Sequence, residues 1–355
     1  MQEIRTKKRT IGPGHPTYVI AEMAWSHDGS REKAMAIIEG ASQAQADALA
    51  IHITSLPDYM VPHYGSGKGR ISAGKEDQNI YRYLERINLS PDDWAHLIPE
   101  AKDLGLDLCV MCNDWPSFEW IQTFDPDFYI ISPASFVEED FIRAQARTGK
   151  PLLLRIGGAM LGEIERVIYW AKGEGNGQLI LLFGFQNYPT RIEDTHLAFL
   201  PTLRATFGCQ VGLADHLDAD DPLAISLPLL AIPYGATVIE KHVTHDRTLR
   251  GEDFESALNP TELAQMVRHI RQAEKAIGSA HLQAIYPTMD AYRQISRKRA
   301  VAACEIRKGE VLCRENIRFK RSDEGIAPDE VKYVLGRKAK RRIGVNEGIT
   351  IDSVA

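Results

Sequence analysis

His216 follows Asp215 at the end of one short apolar run, and His242 closes the triplet Glu240-Lys241-His242 at the end of another. Two imidazoles on neighbouring strand ends can meet on one divalent ion, because imidazole suits manganese, iron, cobalt and zinc. Within Val238–His242, period-two alternation puts Glu240 and His242 on one face and Lys241 on the other, so Lys241 points away from the site and is a poor Schiff-base candidate. Other groups able to do chemistry end further apolar runs: Glu22 and His27, His52 and Asp58, Asp114, Ser132, Arg155, and Asn187-Tyr188. Singly, each histidine is better explained by a structural hydrogen bond than by a metal.

Positioning these residues takes eight strands, expected at Tyr18–Glu22, Asp47–His52, Leu106–Met111, Asp127–Ser132, Pro151–Ile156, Gln178–Phe183, Gln210–Leu213 and Thr237–Glu240. Amphipathic stretches alternate with them at Arg31–Gln43, Asp92–Leu104, Glu138–Thr148, Met160–Lys172, Glu193–Phe207, Asp220–Pro233 and Thr261–Ile277. Ser90-Pro91-Asp92 and Asn259-Pro260-Thr261 read as helix starts. The link between strands three and four has no clear pattern. Eight βα units close into a (β/α)8 TIM barrel, an α/β fold whose active-site groups sit at the C-terminal strand ends. The Gly/Ser/Lys-rich segment His63–Lys75 lies on that face and reads as a mobile loop. Leu282–Ser296, with Pro287, breaks the rhythm, and we read 283–296 as a linker between a barrel domain, 1–282, and a basic, β-rich domain, 297–355. That last domain is small enough to need docking on something.

The chain has 355 residues, 44% hydrophobic and 25% charged, which excludes wholesale disorder. A net charge of −6 argues against a nucleic-acid or anionic-membrane binder. No apolar run is long enough to span a bilayer, and the basic N-terminus lacks the apolar segment of a signal peptide. Five scattered cysteines suit a reducing cytoplasm. Cys109 and Cys112 form a C-x-x-C, but on a buried strand without a second pair they read as core thiols.

Several segments carry a resemblance. YVIAEMAWSHDGSREKAMAIIEGASQAQADAL resembles the opening of the sialic acid synthase (N-acetylneuraminate synthase) family, and VGLADH (211–216) and GATVIEKHVTHDRTLRGEDFESALNPTEL (235–263) resemble its two most specific segments. The stretch from Lys298 to Ile349 resembles the family's C-terminal antifreeze-like (SAF) domain, so the likeness spans nearly the whole chain, in the family's order and close to the spore-coat polysaccharide synthases. The resemblance implies condensation of phosphoenolpyruvate with an N-acylated amino sugar in its aldehyde form, giving a 2-keto-3-deoxy sugar acid for surface or spore-coat polysaccharide. It implies a divalent metal (Mn2+ or Mg2+) on His216 and His242, polarising the sugar aldehyde. It also implies catalytic roles for Glu22 and Asp253, a sugar-binding Tyr188, and an Arg321 that reaches the partner's sugar site in a domain-swapped homodimer.

Departures from the family pattern cluster at the anion site. The strand-two lysine position is Ala50, the strand-four lysine position is Tyr129, and the following glutamate position is Ala134. The Ser-Thr-Gly of strand five is Arg155-Ile156-Gly157. Each charge-assisted bond to a phosphate is worth roughly 1.5–3 kcal/mol. Arg155 is therefore the expected replacement cation, with Ser132 and Asn187 adding hydrogen bonds, unless it pairs with a rim carboxylate such as Asp114 or Glu22. An aldolase-like relative using another 2-oxo acid donor, and a catalytically silent sugar-binding paralogue, are the alternatives.

Overall fold

The computed structural model describes residues 2–64, 79–187 and 189–355. The chain divides into one compact unit ending at Ile277 and a second running from Gly278 to Ala355. In the first, eight parallel strands close into a barrel: Tyr18–Ala24, Ala48–Ile53, Asp107–Cys112, Phe128–Ile131, Leu152–Arg155, Leu179–Phe183, Gln210–Asp215 and Ala236–His242. We number them one to eight. Strand eight pairs with strand one, placing His242 beside Glu22, and with strand seven, placing Lys241 beside Asp215.

Alternation along each strand sorts side chains into two layers. Ile20, Ala50, Cys109, Phe128, Ile130, Leu153, Leu182 and Val238 fill the interior, and Ile4 and Ile11 of a short N-terminal hairpin join them from below. The opposite faces carry Val19, Leu49, Leu108, Tyr129, Leu181 and Ile239 against the surrounding helices. Cys109 and Cys112, three residues apart on a strand, thus face opposite layers, and both are buried free thiols.

Helices Arg31–Gln43, Pro91–Asp103, Glu139–Arg147, Leu161–Gly173 and Pro260–Ile277 lie where the pattern predicts them, and Ser90 forms a capping box with Asp93 ahead of Pro91. Between strands three and four runs a helix, Trp115–Ile121, capped by Asp114. Ile80–Ile87 is a further helix that the pattern did not suggest. Two expected helices are shortened. The stretch 193–207 is helical only over Leu200–Phe207, because His196 adopts φ +40° and interrupts the turns before it. The stretch 220–233 is helical only over Leu227–Ala231, because Asp218 and Asp221 accept the backbone N–H of Asp220 and Leu223, holding turns instead. The mobile-loop reading of 63–75 falls outside the described residues, apart from His63 and Tyr64.

In the second unit, the segment read as a linker is instead a helix, Leu282–Ser296. Pro287 removes one backbone donor, while apolar residues at three- and four-residue spacing supply a helical period in place of a βα one. Lys298–Ala302 and Ile317–Arg321 then pair antiparallel over a core of Ala300, Ala302, Ile306, Leu312, Val334 and Ile343. Among the described residues no helix is long and apolar enough to cross a membrane.

Candidate active site

The C-terminal strand ends collect charged and titratable side chains that the interior pattern alone would fill with apolar ones. Glu22, fully buried, accepts the Ala24 N–H at 2.8 Å and a hydrogen bond from the Arg155 guanidinium. The same Nη2 of Arg155 lies 2.8 Å from Oε1 of Glu240, and His52 Nε2 is 3.5 Å from the other Glu22 oxygen. One guanidinium is thus shared by two buried carboxylates. Burial works against the charge on Arg155, but Glu240 and Glu22 together push its pKa above the usual value. Burial raises the Glu240 carboxyl to about 7, Arg155 pulling against the shift and Glu22 adding to it. Asp114, the other partner considered for Arg155, instead accepts the N–H groups of Ser117 and Ser55, each at 2.8 Å.

Beside this cluster, the His216 and His242 rings stand 5.0 Å apart. His216 Nδ1 donates to the Ala214 carbonyl at 3.1 Å, which leaves Nε2 with its lone pair and no protein partner. Neither ring nitrogen of His242 makes a hydrogen bond, and Nδ1 is 3.7 Å from Asp253 Oδ2. Burial, reinforced by Arg155 and Lys241, lowers the His216 pKa to about 3. Burial and then the neighbouring His216 lower His242 well below the ordinary value. Both rings are neutral at pH 7, the form that can ligate a metal. Lys241 points outward, as the alternation requires, with Nζ 2.8 Å from Asp215 Oδ2 and donating to the Leu217 carbonyl at 3.1 Å.

A cavity of about 350 Å³ opens beside these groups, lined by Arg155, Gly157, Gln186, Asn187 and His216 among others. Gly157 is required there, since a Cβ would lie 2.2 Å from the Gly184 carbonyl oxygen. Asn187 is exposed at the cavity edge. The Ser132 hydroxyl is occupied by its own turn, accepting from the Ala134 N–H at 3.1 Å. Tyr188 lies outside the described residues. Arg321 belongs to the second unit, where its guanidinium donates to the Ile295 carbonyl at 2.7 Å.

Ala50 faces the interior, whereas Tyr129 turns outward against Phe118, so neither position presents a cation to the mouth. Among the described residues no group of three or more His, Cys, Asp or Glu is arranged to hold a metal ion. Two free imidazole nitrogens fit a divalent ion whose remaining positions are filled by water or substrate oxygen. Glu240 and His52 stood at strand ends in the sequence without an assigned role, and Gln186, whose Nε2 donates to Asp253 Oδ1 at 3.2 Å, gave no signal at all.

A closed βα barrel with its titratable residues at the C-terminal mouth, followed along the chain by a small β-rich domain, defines a class of two-domain barrel enzymes. Residues 37–282 match the NeuB family and 297–355 the SAF domain, and the chain belongs to the NeuB family as a sialic-acid-synthase-like enzyme. It is 30% identical over 337 residues to a pseudaminic acid synthase of Campylobacter jejuni, covering 94% of this chain and 95% of that one. It is 27% identical to the spore coat polysaccharide biosynthesis protein SpsE of Bacillus subtilis, covering 100% and 98%. Among solved structures, the N-acetylneuraminic acid synthetase of Leptospira borgpetersenii, in complex with citrate, superposes with a TM-score of 0.71 at 26% identity, over 82% of this chain and 96% of that one.

Proposed function

We propose that the chain condenses phosphoenolpyruvate with the aldehyde form of an amino sugar, giving a 2-keto-3-deoxy sugar acid for a cell-surface or spore-coat polysaccharide. The observation that carries this reading is the pair of neutral imidazoles with free nitrogens facing the same barrel mouth as the Glu22–Arg155–Glu240 cluster. The names of the relatives, a pseudaminic acid synthase, an N,N'-diacetyllegionaminic acid synthase and a spore coat polysaccharide biosynthesis protein, support the product class.

His216 and His242 hold a divalent ion, manganese or magnesium, which when bound supplies Lewis-acid polarisation of the aldehyde oxygen. Arg155 orients the donor's anionic groups by exchanging part of its pairing with Glu22 and Glu240 for them. Glu240, on the strand that carries His242, holds the Arg155 guanidinium together with Glu22. Glu22, fixed by the Ala24 N–H, keeps that guanidinium in place, and Asp253 orients His242. Asn187, in the same cavity as Arg155, adds a hydrogen bond to the donor, and Tyr188 contacts the sugar. With Ala50 and Tyr129 at the lysine positions, a different 2-oxo acid donor is the second reading. The protein acts in the cytoplasm and as a homodimer exchanging its SAF domain, so that Arg321 serves the partner's sugar. The exposed apolar face of helix Leu282–Ser296, with Leu282, Tyr286, Met289 and Tyr292, supports association of this kind.

Phosphate release from phosphoenolpyruvate, measured over a panel of N-acylated amino-sugar aldehydes with manganese present, tests the reaction. If the unmodified protein shows no calorimetric binding of phosphoenolpyruvate at millimolar concentration, that donor is wrong. Light scattering giving a monomer would remove the dimer.

A further inference from the structure

Asp253 stands against His242 only because its backbone is bent into an unusual shape. Its φ is +59°, in the left-handed region that costs an aspartate conformational energy and persists only where neighbours impose it. The neighbours are identifiable. The turn after strand one grips the residue just before Asp253 by both of its backbone groups: the Ser26 hydroxyl donates to the Glu252 carbonyl at 3.1 Å, and the Glu252 N–H donates to Asp28 Oδ1 at 2.9 Å. Ser26 is wholly buried, and Asp28 Oδ2 is itself held by Lys33 Nζ at 3.1 Å. Contact is so close that a Cβ on Gly251 would lie 2.2 Å from Asp28 Oδ2. From the other side, Gln186 fixes Asp253 Oδ1 and leaves Oδ2 toward His242 Nδ1.

We propose that Asp28, with Ser26, is a positioning residue for the reaction: by gripping the Glu252 backbone it holds Asp253 in its left-handed conformation beside His242, which keeps the imidazole proton on Nδ1 and presents Nε2 to the metal. At 3.7 Å the carboxylate lies just outside hydrogen-bond range and acts on the ring through its charge. Neither His242 nitrogen has another hydrogen-bond partner to decide the tautomer, so the field of Asp253 decides it. His216 reaches the same tautomer by a different route, its Nδ1–H bonded to the Ala214 carbonyl. Outer partners of this kind typically change metal affinity by about 10–100-fold.

The inference rests on the proposed metal role of His242, and its test separates the two. Asp28 itself has φ +49°, so Asp28→Gly removes the acceptor without backbone strain, while Asp28→Asn keeps an acceptor for the Glu252 N–H. Ring-nitrogen NMR shifts of metal-free protein should show His242 as the Nδ1–H tautomer in the unmodified chain and in Asp28→Asn, and as a mixture in Asp28→Gly. Titration with Co2+ alone should give an affinity roughly tenfold or more weaker in Asp28→Gly, with an altered visible spectrum, and within about threefold of the original in Asp28→Asn. An unchanged tautomer in Asp28→Gly overturns the clamp even if metal binds. Absence of Co2+ binding in the unmodified chain overturns the metal reading, and the tautomer measurement still decides the clamp.

Discussion

Both ends of the barrel bury charged side chains, and they differ in whether those charges are satisfied. At the floor, Asp47, Asp107 and Asp127 each have a hydrogen-bond donor and a cation. Asp47 accepts the Val19 N–H at 2.8 Å and lies within 3.0 Å of both Arg9 and Arg271. Asp107 takes the Tyr18 hydroxyl at 2.7 Å with Lys8 at 3.5 Å, and Asp127 takes the Leu108 N–H at 2.9 Å with Lys7 at 3.6 Å. At the mouth, the ring nitrogens of His52 and His242, Nε2 of His216 and Nε of Arg155 make no hydrogen bond, and two carboxylates share one guanidinium. An unmade buried hydrogen bond costs about 1–3 kcal/mol, so groups of this kind gathered in one place call for water, an ion or a ligand as partner. The floor is built for stability and the mouth for ligands, as the barrel architecture generally divides them.

The sharpest way to break that division is to remove the metal pair. His216→Ala with His242→Ala should abolish stoichiometric metal binding and cut turnover by roughly a thousandfold, since Lewis-acid stabilisation supplies several kcal/mol. Because neither side chain satisfies a cross-barrel partner, the melting temperature should fall only by what the two cavities and the lost Ala214 bond cost. A large fall in melting temperature with metal content unchanged would return both residues to the structural class.

Arg155 belongs to both classes, which makes it the most informative single position. Arg155→Ala leaves Glu22 and Glu240 facing each other in a buried site, and breaking such a pair costs about 3–5 kcal/mol. Adding Glu240→Gln should return part of that stability without restoring donor binding. If Arg155→Ala instead loses donor affinity at an unchanged melting temperature, the ion pair is incidental and the arginine is purely an anion clamp. At the floor, Asp47→Ala should cost less, about 2–3 kcal/mol, because Arg9 and Arg271 are partly exposed and can rehydrate. Turnover per folded molecule should stay as it was. A selective loss of turnover would show that the floor is not merely structural.

Much of this division was legible in the residues. Eight apolar runs and the alternation in Val238–His242 place the mouth and turn Lys241 outward without any coordinates. Pairing across the barrel was legible only in part: Glu22 stood among the carboxylates considered for Arg155 and Glu240 did not, because the three come from strands one, five and eight and only closure of the sheet brings them together. The helix Leu282–Ser296 was hidden by Pro287, and the short 220–233 helix by aspartates whose side chains compete for backbone donors. Strand four shows how register decides meaning. Matching Tyr129 to a lysine position says nothing about direction, and the pleat turns it away from the cavity.

The smallest expected effect concerns His27, which lies between the two classes. Its Nδ1 accepts the Gly29 N–H at 3.1 Å, its ring packs edge-on against Trp94 at 5.5 Å, and Nε2 has no hydrogen-bond partner. Burial lowers its pKa to about 3, Asp28 opposing the shift. In the unfolded chain the ring titrates near 6.5, so between about pH 6.5 and 3 the unfolded state binds a proton that the folded state refuses. Its contribution to stability is therefore flat above pH 6.5 and falls as the pH drops, by about 1.4 kcal/mol at pH 5.5. Glu240 runs the other way. Its folded pKa, near 7, exceeds its unfolded value, so it favours the fold below about 4.5 and loses that advantage as pH rises through 7. His27→Asn keeps an acceptor for the Gly29 N–H and removes only the titration, so Glu240 cancels when variant and original are compared. Denaturant unfolding with chelator at pH 8 and pH 5.5 should show the variant losing about 1.4 kcal/mol less than the original across that interval. Equal losses would mean that His27 is charged in the folded state, with Nε2 reaching a partner, and would move it from the mouth's unsatisfied set to the satisfied set of the floor.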